Sequence, residues 1–232
     1  MVNQPLDSEF VQYLAKQARQ NPDNPDIPSL NHLSNILDTS VPRLREQLQV
    51  AKAMGLVEVR PRTGIKLQPY SFRFAVWKSL SYAINVDHSL FYKFAHLRVQ
   101  LELAYWYEAV TALTMKDKEK LQKIIKRAEA KLKGSPIQIP HTEHRELHLS
   151  IYNKLDNPFV IGILEGFWDA YESVGLAVLN DLNYLEEVWD YHKKIVSSIC
   201  KDDFESGFNA LVEHIDLLVM RPDTSNNQGL DH

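Results

Sequence analysis

The sequence predicts a mostly α-helical protein in two parts: an N-terminal winged helix-turn-helix and a larger C-terminal all-α helical bundle. Three observations carry this. Within the first 70 residues, three amphipathic segments are followed by two alternating segments around a Pro/Gly turn. After Tyr70 strand signals stop and helical periodicity takes over. A local cluster of positive charge also sits on the first part of an otherwise acidic chain.

The elements follow in order. Residues 7–20 place Phe10, Leu14 and Ala18 at i, i+4 and i+8, which is one apolar helix face. Pro22 and Pro25 break the chain after it. Ser29 caps a second helix that turns Leu30, Leu33 and Leu37 inward, and Asp38-Thr39 ends it. Ser40 caps a third helix, with Pro42 in the first turn where a missing N–H does no harm, and Gly55 closes it. LVEV and IKLQ then flank Arg60–Gly64 as a β-hairpin. Helix two, a tight turn and helix three make the helix-turn-helix, and the hairpin is the wing. Helices are expected over 88–113, 116–133, 141–155, 157–179, 183–201 and 203–220. The expected domains are 1–70 and 71–221, with a polar tail at 222–232.

Composition narrows the function. The chain has 232 residues, 44% hydrophobic and 24% charged, which excludes a disordered protein and suits two domains of unequal size. The net charge is -4. From Arg43 to Arg73, however, seven basic residues face only Glu46 and Glu58, about +5 locally. Such a patch on an acidic protein points to one local anionic partner. Cys200 is the one cysteine, so an intrachain disulfide and a cysteine-based zinc site are excluded, and a cytoplasmic protein is expected. The first residues do not read as a signal peptide, no run approaches the ~20 apolar residues of a membrane span, and no membrane partner is expected.

The recognition helix of a helix-turn-helix reaches base edges with its N-terminal residues. Arg43 and Arg45 lie there, and arginine suits the O6/N7 edge of guanine. The helix starts at Ser29 and Ser40 offer backbone amides to phosphate. At the wing tip, Arg62 beside Gly64 is placed for phosphate or a minor groove. Ser29, Ser40, Arg43, Arg45, Arg62 and Gly64 are therefore the candidate DNA contacts. The plainer alternative, solvated arginines on a protein-interaction module, leaves the positive cluster unexplained.

This segment resembles the DNA-binding part of GntR-type regulators. The resemblance rests on Ile27-Pro28-Ser29, on Arg45-Glu46 with Leu48, on Gly55-Leu56-Val57, and on Arg62-Thr63-Gly64. It implies DNA contacts by Arg45 and the backbone around Gly64. The chain departs from the pattern at Val41, where arginine is usual, and at Arg43, where proline is common.

Five of the nine histidines fall between residues 141 and 214. His144 and His148, at i and i+4, share a helix face. His192 and His214 lie on either side of the break at Lys201-Asp202-Asp203, so an antiparallel pair hinged there brings them together. Converging imidazoles in a helical bundle can hold a divalent metal, although any one of them alone reads as a packing residue.

Residues 88–220 resemble the FCD effector domain of the FadR branch of that family, through Arg98-Val99-Gln100-Leu101-Glu102, His144-Arg145-Glu146-Leu147-His148, Asn157-Pro158, and His192 with His214. The resemblance implies metal ligands at His144, His148, His192 and His214. His144 is a departure, since aspartate is usual there, and Glu143 is an alternative donor. Zinc is the expected ion, with nickel second, and affinity is expected to fall as pH drops through ~6.5. A small organic acid is the implied effector, with Arg98 as its clamp. The competing reading of Arg98 is a helix-surface ion pair with Glu102. No role is given to Tyr105, Trp106, Tyr152, Trp168 or Tyr171.

An enzyme is not expected. A zinc-protease helix needs glutamate directly after its first histidine, and here Arg145 stands there. A deaminase needs a Cys-x-x-Cys that is absent. The nearer alternative is a regulator responding to the metal itself. A short half-site carries too little specificity alone, so a homodimer on a pseudo-palindromic operator is expected.

Overall fold

The computed structural model describes residues 8–174 and 182–219. The expected tail at 222–232 lies outside the described residues. The chain divides into two compact units, one ending at Asp87 and one beginning at His88.

The first unit runs α1 (Glu9–Gln20), β1 (Asp26–Ile27), α2 (Leu30–Leu37), α3 (Val41–Ala53), β2 (Val57–Arg60), β3 (Gly64–Leu67) and α4 (Arg73–Val86). Serine hydroxyls start the helices: Ser8 accepts from the Val11 amide, Ser29 from His32 and Ser40 from Arg43. The tight turn between α2 and α3 forms because Asp38 takes a left-handed conformation (φ 48°). The Ser34 hydroxyl then donates to the Thr39 carbonyl at 2.7 Å. At the end of α3 the amides of Gly55 and Leu56 bond back to Lys52 and Ala51, a Schellman closure that needs positive φ at Gly55. Gly55 has φ +70°, and a Cβ there would lie 2.2 Å from the Phe74 ring, so two constraints demand glycine.

The strands form an antiparallel sheet in the order β1-β3-β2, with Ile27 opposite Ile65 and Arg60 opposite Gly64. The inward-facing residues Val57 and Ile65 meet Phe10, Leu14, Leu33, Leu44, Leu48 and Ala51 in one core. Two elements depart from the expectation. β1 forms in the proline-bearing break, because two residues are too few to show alternation. α4 follows the wing, burying Val76, Leu80 and Ile84 at four-residue spacing, with Phe72 at its N-cap and the Ser71 hydroxyl accepting from the Arg73 amide. The boundary expected after residue 70 precedes α4, which clusters with the first unit.

The second unit is entirely helical among the described residues. It contains α5 (Leu90–Ala104), α6 (Trp106–Thr111), α7 (Met115–Leu132), α8 (His141–Tyr152), α9 (Pro158–Ser173), α10 (Leu182–Cys200) and α11 (Phe204–Val219). The single helix expected over 88–113 is interrupted at Tyr105 (φ -98°, ψ 6°). Trp106 follows, fully buried, and its indole N–H donates to the Phe204 carbonyl at 2.9 Å. That long-range bond draws the start of α11 to the break. Gly207 then lets α11 approach, since a Cβ there would lie 2.8 Å from the Trp106 ring. Thr114 and Asp117 close a capping box on α7, and Asn157 caps α9 ahead of Pro158. α10 and α11 pack as a hairpin whose turn holds Asp202 at φ 59°. Trp106, Leu121, Ile124, Leu147, Leu164 and Trp189 are central to the core. Each such side chain contributes about 1.5–3 kcal/mol of burial.

Candidate metal centre and nucleic-acid interface

The histidines sit where the apolar stripes would otherwise continue. On α8, His148 directly follows the buried Leu147, and His144 lies one turn earlier. On α10, His192 is flanked by Val188, Trp189, Ile195 and Val196; on α11, His214 is flanked by Ala210, Leu211 and Ile215. Residues three or four apart share a helix face, so each imidazole is carried into the interior by its neighbours. The structure brings all four together: one ligand atom from each of His144, His148, His192 and His214 lies within 4.8 Å of the others. His148 Nε2 and His192 Nε2 are 3.1 Å apart. The rings of His192 and His214 are 4.3 Å apart centre to centre.

His148, His192 and His214 are at most 2% exposed. His144 keeps slight accessibility as a residue, while its Nε2 is enclosed. Burial, the largest cause, pushes all four imidazoles well below their ordinary pKa, and the Arg98 charge adds to it. They are therefore neutral at pH 7, the form in which imidazole binds metal. This moves the expected pH window: the folded site stays neutral below ~6.5, because that value belongs to a solvated imidazole.

His144 Nε2, His192 Nδ1 and both nitrogens of His214 find no hydrogen-bond partner among the described residues. Orphaned buried nitrogens are costly, and four convergent imidazoles with spare lone pairs fit a divalent transition metal. Glu143 does not join them. Its carboxylate is held by Lys131 at 2.7 Å and lies 3.8 Å from Arg127.

Arg98 projects from α5 into the same cluster, 2% exposed. Its Nε is 2.9 Å from Glu102 Oε1 and its Nη2 is 2.9 Å from His148 Nδ1. The pair with Glu102 thus forms, but in the interior and not on the helix surface. The guanidinium lies over Phe167 at 4.8 Å and Trp168 at 5.6 Å. Burial raises the Glu102 carboxyl pKa and Arg98 opposes that rise. The sequence places Glu102 in the element shared with the FCD domain and as an i+4 partner of Arg98, without showing that it is buried. It leaves Trp168 unassigned, although that ring stands 4.7 Å from His144. Aromatic spacing alone does not separate a site wall from ordinary core.

In the first unit the candidate DNA contacts Ser29, Ser40, Arg43, Arg45, Arg62 and Gly64 are all exposed. Ser29 and Ser40 are occupied as caps. Arg45 is exposed, opposite the buried stripe of Leu44, Leu48 and Ala51. Arg43 Nη2 is bound to Glu9 at 2.7 Å, and Gln47 Nε2 reaches the second oxygen of Glu9 at 2.5 Å. Arg62 is exposed at the wing tip with φ 70°, followed by Gly64 with φ 77°.

The FCD domain profile matches residues 93–217. Among solved structures, Streptococcus agalactiae GntR is similar at 18% identity over 90% of this chain and 96% of that one, with a TM-score of 0.66. E. coli McbR/YncC aligns at 20% identity over 92% and 96% of the two chains, with a TM-score of 0.48. No curated protein sequence matches. Among the described residues no helix is long and apolar enough to cross a membrane. With the profile spanning more than half of its length, the chain belongs to the FCD domain family and has the fold of a GntR-type regulator.

Proposed function

We propose that this protein is a cytoplasmic transcriptional regulator whose grip on operator DNA is set by a small carboxylate-type effector at a zinc-containing centre. The observation that carries the reading is the buried set His144, His148, His192 and His214, neutral and short of hydrogen-bond partners. These four residues would hold the ion, with nickel the second candidate. When bound, the ion supplies a Lewis-acidic attachment point for an anion. The chain's own residues do the rest. Arg98 offers a guanidinium to the carboxylate. Trp168 and Phe167 shield that charge from water. Arg45, Arg43, Arg62 and the backbone at Ser29, Ser40 and Gly64 engage the operator. The protein acts as a homodimer, and exposed Tyr92, Tyr107, Met115 and Phe159 in the second unit give it apolar surface to pair through.

The test is a DNA titration at fixed salt with zinc-loaded and chelator-treated protein, each with a panel of mono-, di- and hydroxy-carboxylates. The reading expects release of DNA only when zinc and an acid are both present. Light scattering at micromolar concentration checks the dimer, and a monomer would remove the two-half-site operator.

The donor count favours a second reading. Four imidazoles would supply the full donor set of a closed zinc site. The regulator would then respond to the metal alone, without an effector bound to it. DNA release by zinc without any acid selects this second reading.

A further inference from the structure

The clearest conflict in the molecule lies at one atom, Nδ1 of His148. Two groups claim it. Arg98 Nη2 approaches at 2.9 Å and Glu102 Oε1 at 3.2 Å. A guanidinium has only protons to give, and a carboxylate only lone pairs. A neutral imidazole carries one proton, so Nδ1 can accept from Arg98 or donate to Glu102, but not both. The choice fixes the other end of the ring. If Nδ1 accepts, the proton sits on Nε2, where it bridges the 3.1 Å gap to His192 Nε2. If Nδ1 donates, the Nε2 lone pair is free to bind a metal.

We propose that Glu102 is a positioning residue that competes with Arg98 for His148 Nδ1, so that committing His148 Nε2 to a metal releases Arg98 Nη2 toward the effector. The inference rests on the metal-centre reading above and adds the link between its two halves. The shorter contact at Nδ1 is to the donor, so without metal Arg98 holds the ring in its Nε2–H form. Ligation requires the other tautomer. The proton is lost from Nε2 and one is taken up at Nδ1 by exchange with water, and the imidazole stays neutral throughout. Nδ1–H then donates to Glu102, the arrangement in which an outer carboxylate orients a metal-bound histidine. Arg98 keeps its pair with Glu102 through Nε, at 2.9 Å, but its Nη2 loses its acceptor. A buried donor without a partner seeks an anion. Metal occupancy and affinity for a carboxylate are thereby coupled, in both directions by linkage.

The experiment uses the full chain, 15N-labelled, with long-range 1H–15N correlations of the imidazoles recorded in chelator and again with one equivalent of zinc. His148 is assigned by the signal lost in His148→Gln. The expected result is an Nε2–H ring in chelator and an Nδ1–H ring with a coordinated Nε2 in zinc. An Nδ1–H ring in both states overturns the proposal while leaving the metal site standing. If zinc moves none of the four imidazoles, the metal reading fails and this inference falls with it. As a second arm, Glu102→Gln should lower zinc affinity roughly 10–100-fold in chelator competition, the usual effect of losing an outer partner. Unchanged affinity with the same tautomer exchange would show that Glu102 selects nothing. Should that variant fail to fold, the wild-type spectra still decide the question.

Discussion

Arg43 and Arg98 each pair with a glutamate, at 2.7 Å and 2.9 Å, and both lie on helices that carry candidate functional groups. Their surroundings differ completely. The Arg43 side chain is 56% exposed and its partner Glu9 38%, whereas Arg98 and Glu102 are 2% and 1% exposed. Around α3 and the wing, each polar group has water as an alternative partner and can be changed singly. Around α5, α8, α10 and α11 the polar atoms are shut away from water, so each is either held by another protein atom or left without a partner, and a change at one propagates to the rest. A reader of DNA needs charges that can leave water for phosphate. A sensor needs groups whose arrangement has few solutions.

The largest test of this contrast removes the buried arginine. Arg98→Ala leaves the Glu102 carboxylate buried without its ion pair, and thermal or urea unfolding should show a loss of about 3–5 kcal/mol. A loss within the scatter of surface substitutions would mean that water reaches Glu102. Next in size is the metal. Zinc at a hundredfold excess over its Kd should stabilise the wild-type protein by about 2.7 kcal/mol relative to chelator. His214→Ala should abolish that increment and reduce bound zinc below one per chain by elemental analysis. An identical rise in Tm for both proteins would place the zinc elsewhere.

The DNA end predicts a smaller effect of another kind. Arg45→Ala should weaken operator binding by ~1–3 kcal/mol and narrow the gap between operator and random DNA at fixed salt, leaving Tm unmoved. Equal losses on both DNAs would assign Arg45 to phosphate. The pH response should separate the two regions further. The four buried imidazoles have depressed pKa values when folded, while the unfolded chain protonates them near ~6.5. Below that pH the unfolded state binds more protons, so stability in chelator should fall as pH drops from 6.5 toward 5. It should hold steady between 7 and 8. A flat profile across the whole range would indicate solvated histidines. Smallest of all, Arg43→Ala should leave the melting curve unchanged, because its partner remains in water.

The sequence made the helix-turn-helix, the wing and the four histidines legible because each is a local or near-local pattern. Ser29, Ser40 and Gly55 announce helix ends, and His144 with His148 is a one-turn spacing. His192 and His214 could be paired because the Lys201-Asp202-Asp203 break sits between them. What stayed hidden depends on distant atoms. The interruption at Tyr105 goes with a bond from Trp106 to Phe204 far along the chain. β1 exists only through β3. α4 has Phe72 at its N-cap position, so the hydroxyl that accepts from its first amide is displaced to Ser71. Glu102 was visible as the i+4 neighbour of Arg98, but spacing does not report whether a pair faces water or the interior. Spacing likewise does not report the burial that lowers the pKa values of the four imidazoles.

The route of the chain through the centre has a consequence for the order in which the protein becomes functional. His214 follows His144 by 70 residues. At ~5–20 residues per second on the ribosome, ~4–14 s separate the birth of the first ligand from that of the last. The unit ending at Asp87 is by then already synthesised. A nascent chain therefore passes through an interval in which its winged-helix unit exists and the four histidines cannot yet converge. An ion held by all four histidines would therefore be bound only after His214 has been made.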